Sequence, residues 1–263
     1  MTPFGPEADA ISPDYLWAAL DWQRELGVDE PVGDVPVNRY ALADPARPAR
    51  VAAPVAPVPE PPADTEGDAR AAAAAAPDLA SLAAAMQAAP SDLRPAARNF
   101  VFADGNPAAR LMIVGEAPGR EEDLEGRPFV GPAGQLLDRM LAAIGIDRRS
   151  ADPGQSAYIT NVLPWRPPGN RTPEAHEIAL FLPFLERHVA LIAPKVLILM
   201  GNTPCQAVLG RTGITRMRGQ WTGAWGLPVL PMLHPAYLLR NPAAKRETWA
   251  DLLDLRARLD DPS

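Results

Sequence analysis

Apolar positions along the chain change rhythm at Arg110. Downstream, short uninterrupted apolar runs occur at Leu111 to Val114, Tyr158 to Val162, Val196 to Met200 and Val229 to Leu233. Runs this short and without polar interruption suit strands buried on both faces. Helical spacing lies between them, near Ala133 to Ile144, Glu174 to Ile192 and Thr203 to Leu209, and a closing helix is expected near Ala244 to Leu259. The alternation predicts an α/β fold, a three-layer α/β/α arrangement around a central four-stranded parallel sheet.

The folded domain is expected to span 77 to 263, beginning with a helix from Pro77 to Gln87 that has Leu79, Leu82 and Met86 at helical spacing. Before it, periodicity vanishes. Pro54, Pro57, Pro59, Pro61 and Pro62 crowd together and alanine fills 71 to 76, so 31 to 76 reads as a flexible, acidic Pro/Ala-rich linker. Residues 1 to 30 are expected to hold one more helix, with Ser12 as N-cap, Pro13 at its first position and Gly27 as its stop. Tyr15, Ala19, Trp22 and Leu26 share a face of it, which would either dock on the main domain or bind a protein partner.

The single Cys among 263 residues rules out a disulfide scaffold and a Cys-rich metal site. No stretch of about 18 apolar residues is present to cross a membrane. The first residues, Met-Thr-Pro-Phe-Gly-Pro-Glu, lack the basic-then-apolar pattern of a signal peptide. A cytoplasmic monomer without membrane contact is the expectation. The net charge of -7 is unevenly placed: residues 1 to 87 carry 5 Lys/Arg and 14 Asp/Glu, the remainder 20 and 18. An acidic total therefore leaves the main domain free to meet a polyanion.

Each expected strand ends in a polar or Gly-rich segment: Gly115 to Gly119, Asn161, Gly201-Asn202 and His234-Pro235. Open α/β sheets bind ligands at the carboxyl ends of their strands, so these endings form one candidate site. Gly115 to Gly119 has neither a P-loop ending nor a dinucleotide fingerprint. Its glycines either admit a close ligand or make a tight strand exit. Glu121, Glu122, Asp123 and Glu125 read as a mainly solvated turn rather than a metal cluster. His234 stands at a strand end, whereas His176 and His188 fall in a helical pattern and are expected at the surface. Asn161 offers a donor and an acceptor suited to an amide-like ring.

Six segments then occur in order: Gly105-Asn106-Pro107, Gly115 to Asp123, Gly126 to Gly131, Tyr158 to Val162, Arg166 to Arg171 and His234 to Arg240. This series resembles the uracil-DNA glycosylase superfamily, and its spacing is most like family 4, the thermostable iron-sulfur type. The resemblance covers about residues 88 to 258. It implies a DNA repair enzyme that flips uracil out of DNA and hydrolyses its N-glycosidic bond, leaving an abasic site.

The resemblance also implies roles. Gly115, Ala117, Gly119, Phe129 and Asn161 would bind uracil, with Phe129 stacking on the base for about 1–3 kcal/mol and Asn161 reading O4 and N3-H. Bulk near Gly119 and Glu122 would refuse the thymine methyl. Glu116, Glu122 and His234 would be catalytic, His234 donating to uracil O2 as charge develops there. Ala117 stands where some members carry a water-activating Asp. Asn170, Arg171, Tyr237, Leu238, Leu239 and Arg240 would contact DNA, with Tyr237, Leu238 and Leu239 as an apolar wedge and Arg240 on phosphate.

One departure is plain. The four cysteines that hold a 4Fe-4S cluster in family 4 correspond to Ala88, Ser91, Trp165 and Phe181. No cluster and no other metal is expected, and Trp165 packed on Phe181 would fill the space. Two alternatives remain: a non-catalytic DNA- or damage-binding module of the same fold, and a glycosylase for another deaminated base, since Asn161 also suits a purine lactam edge.

Overall fold

The structure, a computed structural model, describes residues 65–261. The expected helix at 1–30, its suggested partner and the linker up to residue 64 lie outside the described residues. The described chain opens with α1 (Thr65–Ala75) and α2 (Leu79–Ala88), then β1 (Ala103–Gly105), β2 (Leu111–Gly115), α3 (Arg120–Glu125), α4 (Pro132–Ala142) and β3 (Ala157–Asn161). It continues through α5 (Ala175–Ile192), β4 (Val196–Met200), α6 (Asn202–Leu209), α7 (Ile214–Met217), β5 (Thr222–Ala224) and β6 (Leu227–Met232), and closes with α8 (Pro235–Arg240) and α9 (Lys245–Asp260).

The strands form one sheet in the order β1-β3-β2-β4-β6-β5. Its four central strands, β3, β2, β4 and β6, are parallel and are the ones expected from the apolar runs. The sheet is wider than expected because β1 and β5 add antiparallel edges. Each edge strand is three residues, Ala-Asp-Gly and Thr-Gly-Ala, too short and too polar to show a period.

Side chains of the central strands alternate between two cores, as the pleat requires. Met112, Val114, Leu197 and Leu199 join Leu82, Met86, Phe181 and Phe184 from α2 and α5. Leu111, Ile113, Val196 and Ile198 join Leu137, Leu141, Leu252 and Leu255 from α4 and α9. Both faces are thus covered, which accounts for strands without a polar face. Among the described residues no helix is long and apolar enough to cross a membrane.

Two expectations are corrected. The end of the presumed linker is helical: α1 buries Ala69 and Ala73 and packs on α5, where Arg187 donates two hydrogen bonds to the Ala76 carbonyl. Alanine is both a strong helix former and small enough for close helix packing, so the run reads as low complexity but folds. His188 is also not at the surface. It lies in the core with Nε2 2.8 Å from the Tyr158 hydroxyl oxygen and its ring stacked on Phe102 at 4.4 Å. Burial pushes its imidazole down to about 3, so it is neutral. Its place four residues after Phe184 puts it on the inward face of α5, a legible signal. His176, as expected, is exposed.

Candidate active site

The chain leaves β2 for β3 on one side and passes from β4 to β6 on the other, so the crevice lies between β2 and β4 at their carboxyl ends. Five expected residues meet there. In-register pairing of β2 and β3 sets Gly115 beside Asn161. A Cβ at Gly115 would collide with the Asn161 side-chain oxygen and with the Phe129 ring, so glycine is what lets the amide and the ring approach. Phe129 in turn stacks with His234, ring centroids 5.4 Å apart. Glu116 follows directly on β2, and the Thr203 hydroxyl donates to its Oε2 at 2.6 Å from the far side of the crevice.

His234 caps α8. Pro235 occupies the helix's first position and holds His234 extended at φ -65° and ψ 136°. Its Nδ1 accepts a 3.1 Å hydrogen bond from the Ala236 N–H. Although His234 is half-buried as a whole residue, desolvation by surrounding protein pushes the imidazole down to about 4, and Arg240 adds to the shift. The ring is therefore neutral at pH 7, with its proton on Nε2.

Asn161 is buried at 4 % exposure as a whole residue; among the described residues no hydrogen bond reaches its side-chain amide, whose atoms are not among the fully buried unpartnered ones. A side-chain amide at a strand end that no described residue engages leaves a donor and an acceptor for a ligand.

The two expected acids differ. Glu116 is half-buried, tethered through one oxygen. Glu122 is buried, and backbone N–H groups occupy both its oxygens: Val130 and Gly131 at 3.1 and 3.0 Å on Oε1, Gly119 at 3.1 Å on Oε2. Its geometry is that of a scaffold rather than the catalytic acid expected. Asp123 is buried as well and accepts from the Arg98 and Asn99 N–H groups. Half of the acidic stretch is thus structural, not solvated; Glu121 and Glu125 are exposed. Ala117 and Gly119, both half-buried, continue the strand exit, and a Cβ at Gly119 would approach Glu122 Oε2 to 2.7 Å.

Residues 102–253 match the family model described as the Uracil DNA glycosylase superfamily. The chain belongs to the uracil-DNA glycosylase superfamily. Its similar relatives include the Type-4 uracil-DNA glycosylase of Archaeoglobus fulgidus, 40% identical over 61% of this chain and 82% of the relative. Those of Thermotoga maritima (43% identical, 54% of this chain and 73% of the relative) and Sulfurisphaera tokodaii (38%, 60% and 74%) carry the same name.

This uracil-DNA glycosylase superfamily member does not offer the donor set of a 4Fe-4S cluster at the expected positions. Ala88 and Ser91 have no thiolate, and Trp165 and Phe181 are buried rings. Cys205 is buried too, its thiol pushed up to about 12 by desolvation. The packing differs in detail from expectation: Trp165 pairs with Phe100 at 5.1 Å, and Phe181 with Phe184 at 6.2 Å, within one core. Phe100 is the unforeseen partner, brought in by the irregular chain before β1.

The expected DNA-contacting residues of this superfamily member divide. Leu239, Arg240 and Asn170 are exposed, and Tyr237 is half-buried. Leu238 is not available as a wedge, because it packs in the core at 1 % exposure. Helical spacing turns it inward while its neighbour Leu239 points out. Arg171 is committed to Glu177, with bonds of 2.9 and 2.5 Å at the start of α5, rather than free for phosphate. Two side chains at the site escaped the sequence reading: Thr203, and Arg148, whose guanidinium donates to the Pro128 and Phe129 carbonyls. Thr203 stands just after the singled-out Gly201-Asn202, whereas Arg148 lies in a polar stretch with no period or motif to mark it.

Proposed function

We propose that this protein is a uracil-DNA glycosylase of the Type-4 kind that works without an iron-sulfur cluster. The observation carrying the reading is the convergence of the Asn161 side chain, the Phe129 ring and neutral His234 around Gly115 and the strand ends. A flipped uracil lies against Phe129. The Asn161 side chain donates its N–H to O4 and accepts N3-H through its oxygen, a pattern cytosine cannot meet with its amino group and unprotonated N3. Thymine is refused where Gly119 and Glu122 close the edge of the slot.

In the chemical step the C1′–N1 bond breaks and its electron pair leaves with the base. Negative charge grows on O2, where the Nε2–H of His234 donates to it. A donor already oriented in a water-poor site is worth about 100- to 1000-fold in rate. The sugar is left cationic at C1′. Glu116, held by Thr203, is the carboxylate left to stabilise that charge and to take the proton of the water that adds to C1′, since Glu122 is occupied. Leu239 and Tyr237 fill the gap in the duplex, and Arg240 with Asn170 holds the backbone.

Two of the four former cluster positions, Trp165 and Phe181, carry packing instead of ligands, supported by their burial, while Ala88 is exposed and Ser91 half-buried. The functional test is abasic-site formation: wild-type protein should make a uracil-containing oligonucleotide alkali-labile, and His234→Ala should slow this by about 100- to 1000-fold. Equal rates for the two proteins would remove His234 from the reaction.

A further inference from the structure

Phe129 has a φ of 54°, in the left-handed region that bulky residues rarely occupy. Such a conformation persists only where the surroundings over-determine it. Here they act from both sides. On the carbonyl side, the guanidinium of Arg148 donates from Nη1 to the Pro128 oxygen at 3.0 Å and from Nη2 to the Phe129 oxygen at 3.1 Å. On the amide side, Glu122 Oε1 receives the next two N–H groups, those of Val130 and Gly131. Gly134 in α4 supplies the room, since any Cβ there would strike the Phe129 carbonyl.

Arg148 is itself only 7 % exposed and is fixed by Asp138 at 2.8 Å on Nε and by Asp104 at 3.3 Å on Nη1. A planar fork can serve two carbonyls and a carboxylate at once in one rigid geometry, which an ammonium on a flexible stem cannot. A buried charge with so many fixed partners defines position sharply, because losing any one leaves polar groups unsatisfied.

We propose that Arg148, aided by Glu122, is a positioning residue for uracil excision: it holds residues 128–131 so that the Phe129 ring is set as a base platform before DNA arrives. The proposal rests on the uracil-glycosylase reading above. A pre-set ring spares the cost of ordering it during base flipping, and the benefit appears in the rate of excision rather than in DNA affinity at large.

The test is a double-mutant cycle. Arg148→Lys and Arg148→Met are made in wild-type and Phe129→Leu backgrounds, and single-turnover uracil release is measured with thermal melting as a control for folding. If Arg148 acts through the ring, Arg148→Lys slows release about 10- to 100-fold with Phe129 present. In the Phe129→Leu background the same change costs under about twofold, the mark of residues acting as one unit. Fluorescence of 2-aminopurine beside the uracil should show slower or weaker flipping in Arg148→Lys, a readout that lowered stability alone would not move. Should Arg148→Met fail to fold, Arg148→Lys and Glu122→Gln carry the cycle. An equal loss in both backgrounds, or none in either, overturns the proposal. Wild-type protein that releases no uracil would instead overturn the functional reading itself.

Discussion

The Ala236 backbone N–H donates to Nδ1 of His234, two residues earlier, at 3.1 Å. Pro235 between them has no N–H of its own and fixes the turn that brings Ala236 round. A neutral imidazole has one donor and one acceptor nitrogen, so once Nδ1 accepts, Nε2 must carry the proton. The local backbone thereby decides which face of the ring offers a hydrogen bond.

The pH dependence of excision follows from this. Surroundings hold the imidazole down to about 4, so the neutral donor predominates above that pH and is lost only below it. The His234 contribution to kcat/KM should therefore stay flat from pH 8 down to 5. A profile of wild type against His234→Ala checks it. An acid limb near 6.5 present only in wild type would show a ring that titrates normally.

Base choice should depend on one amide. In Asn161→Asp the carboxylate can still accept but cannot donate to uracil O4, and an unmet polar contact in a buried slot costs about 1–3 kcal/mol. Uracil release should fall accordingly, measured by single-turnover kinetics, while binding to undamaged DNA is retained. Unchanged rate and selectivity would take Asn161 out of recognition.

Much of this fold was legible because its central strands are buried on both faces and so appear as unbroken apolar runs. Val196 to Met200 needed no correction at either end. The strand endings also placed Gly115, Asn161 and His234 at one edge before any contact was known. What could not be read was how individual polar groups are spent. Glu116 and Glu122 look alike in sequence, but one faces a threonine hydroxyl and the other three backbone amides. Leu238 and Leu239 are adjacent and identical, and the turn of α8 alone sends one into the core. Arg148 carried no signal because the partners that tie it to the site are carbonyls about 20 residues away, and backbone groups are the same in every residue.

The boundary of the working domain shifts with α1. A chain beginning at Thr65 keeps the packing of α1 on α5 and should retain excision activity. A chain beginning at Pro77 loses buried Ala69 and Ala73 and strands Arg187, whose acceptor is the Ala76 carbonyl. It should melt at a lower temperature. Thermal melts and excision rates of the two truncations check this; equal stability would mean that α1 is not part of the domain.

Trp165 should act as packing. Trp165→Ala removes a ring of 4 % exposure that pairs with Phe100, and deletions of this kind cost about 3–5 kcal/mol. Urea unfolding should show that loss. Purified wild-type protein should contain no stoichiometric iron by elemental analysis, and a full cluster's worth of iron would contradict the reading of these positions.

The central claim is that Phe129, Asn161 and His234 make a site for excising uracil. Its most direct measurement is the free base released from matched single- and double-stranded oligonucleotides carrying uracil, thymine, hypoxanthine or xanthine at one position. The account predicts release of uracil with a matching abasic site, and no release of thymine. Tight binding to uracil-containing DNA with no base released would contradict it and indicate a non-catalytic binding module, while faster release of hypoxanthine or xanthine would show that the Asn161 edge selects a purine.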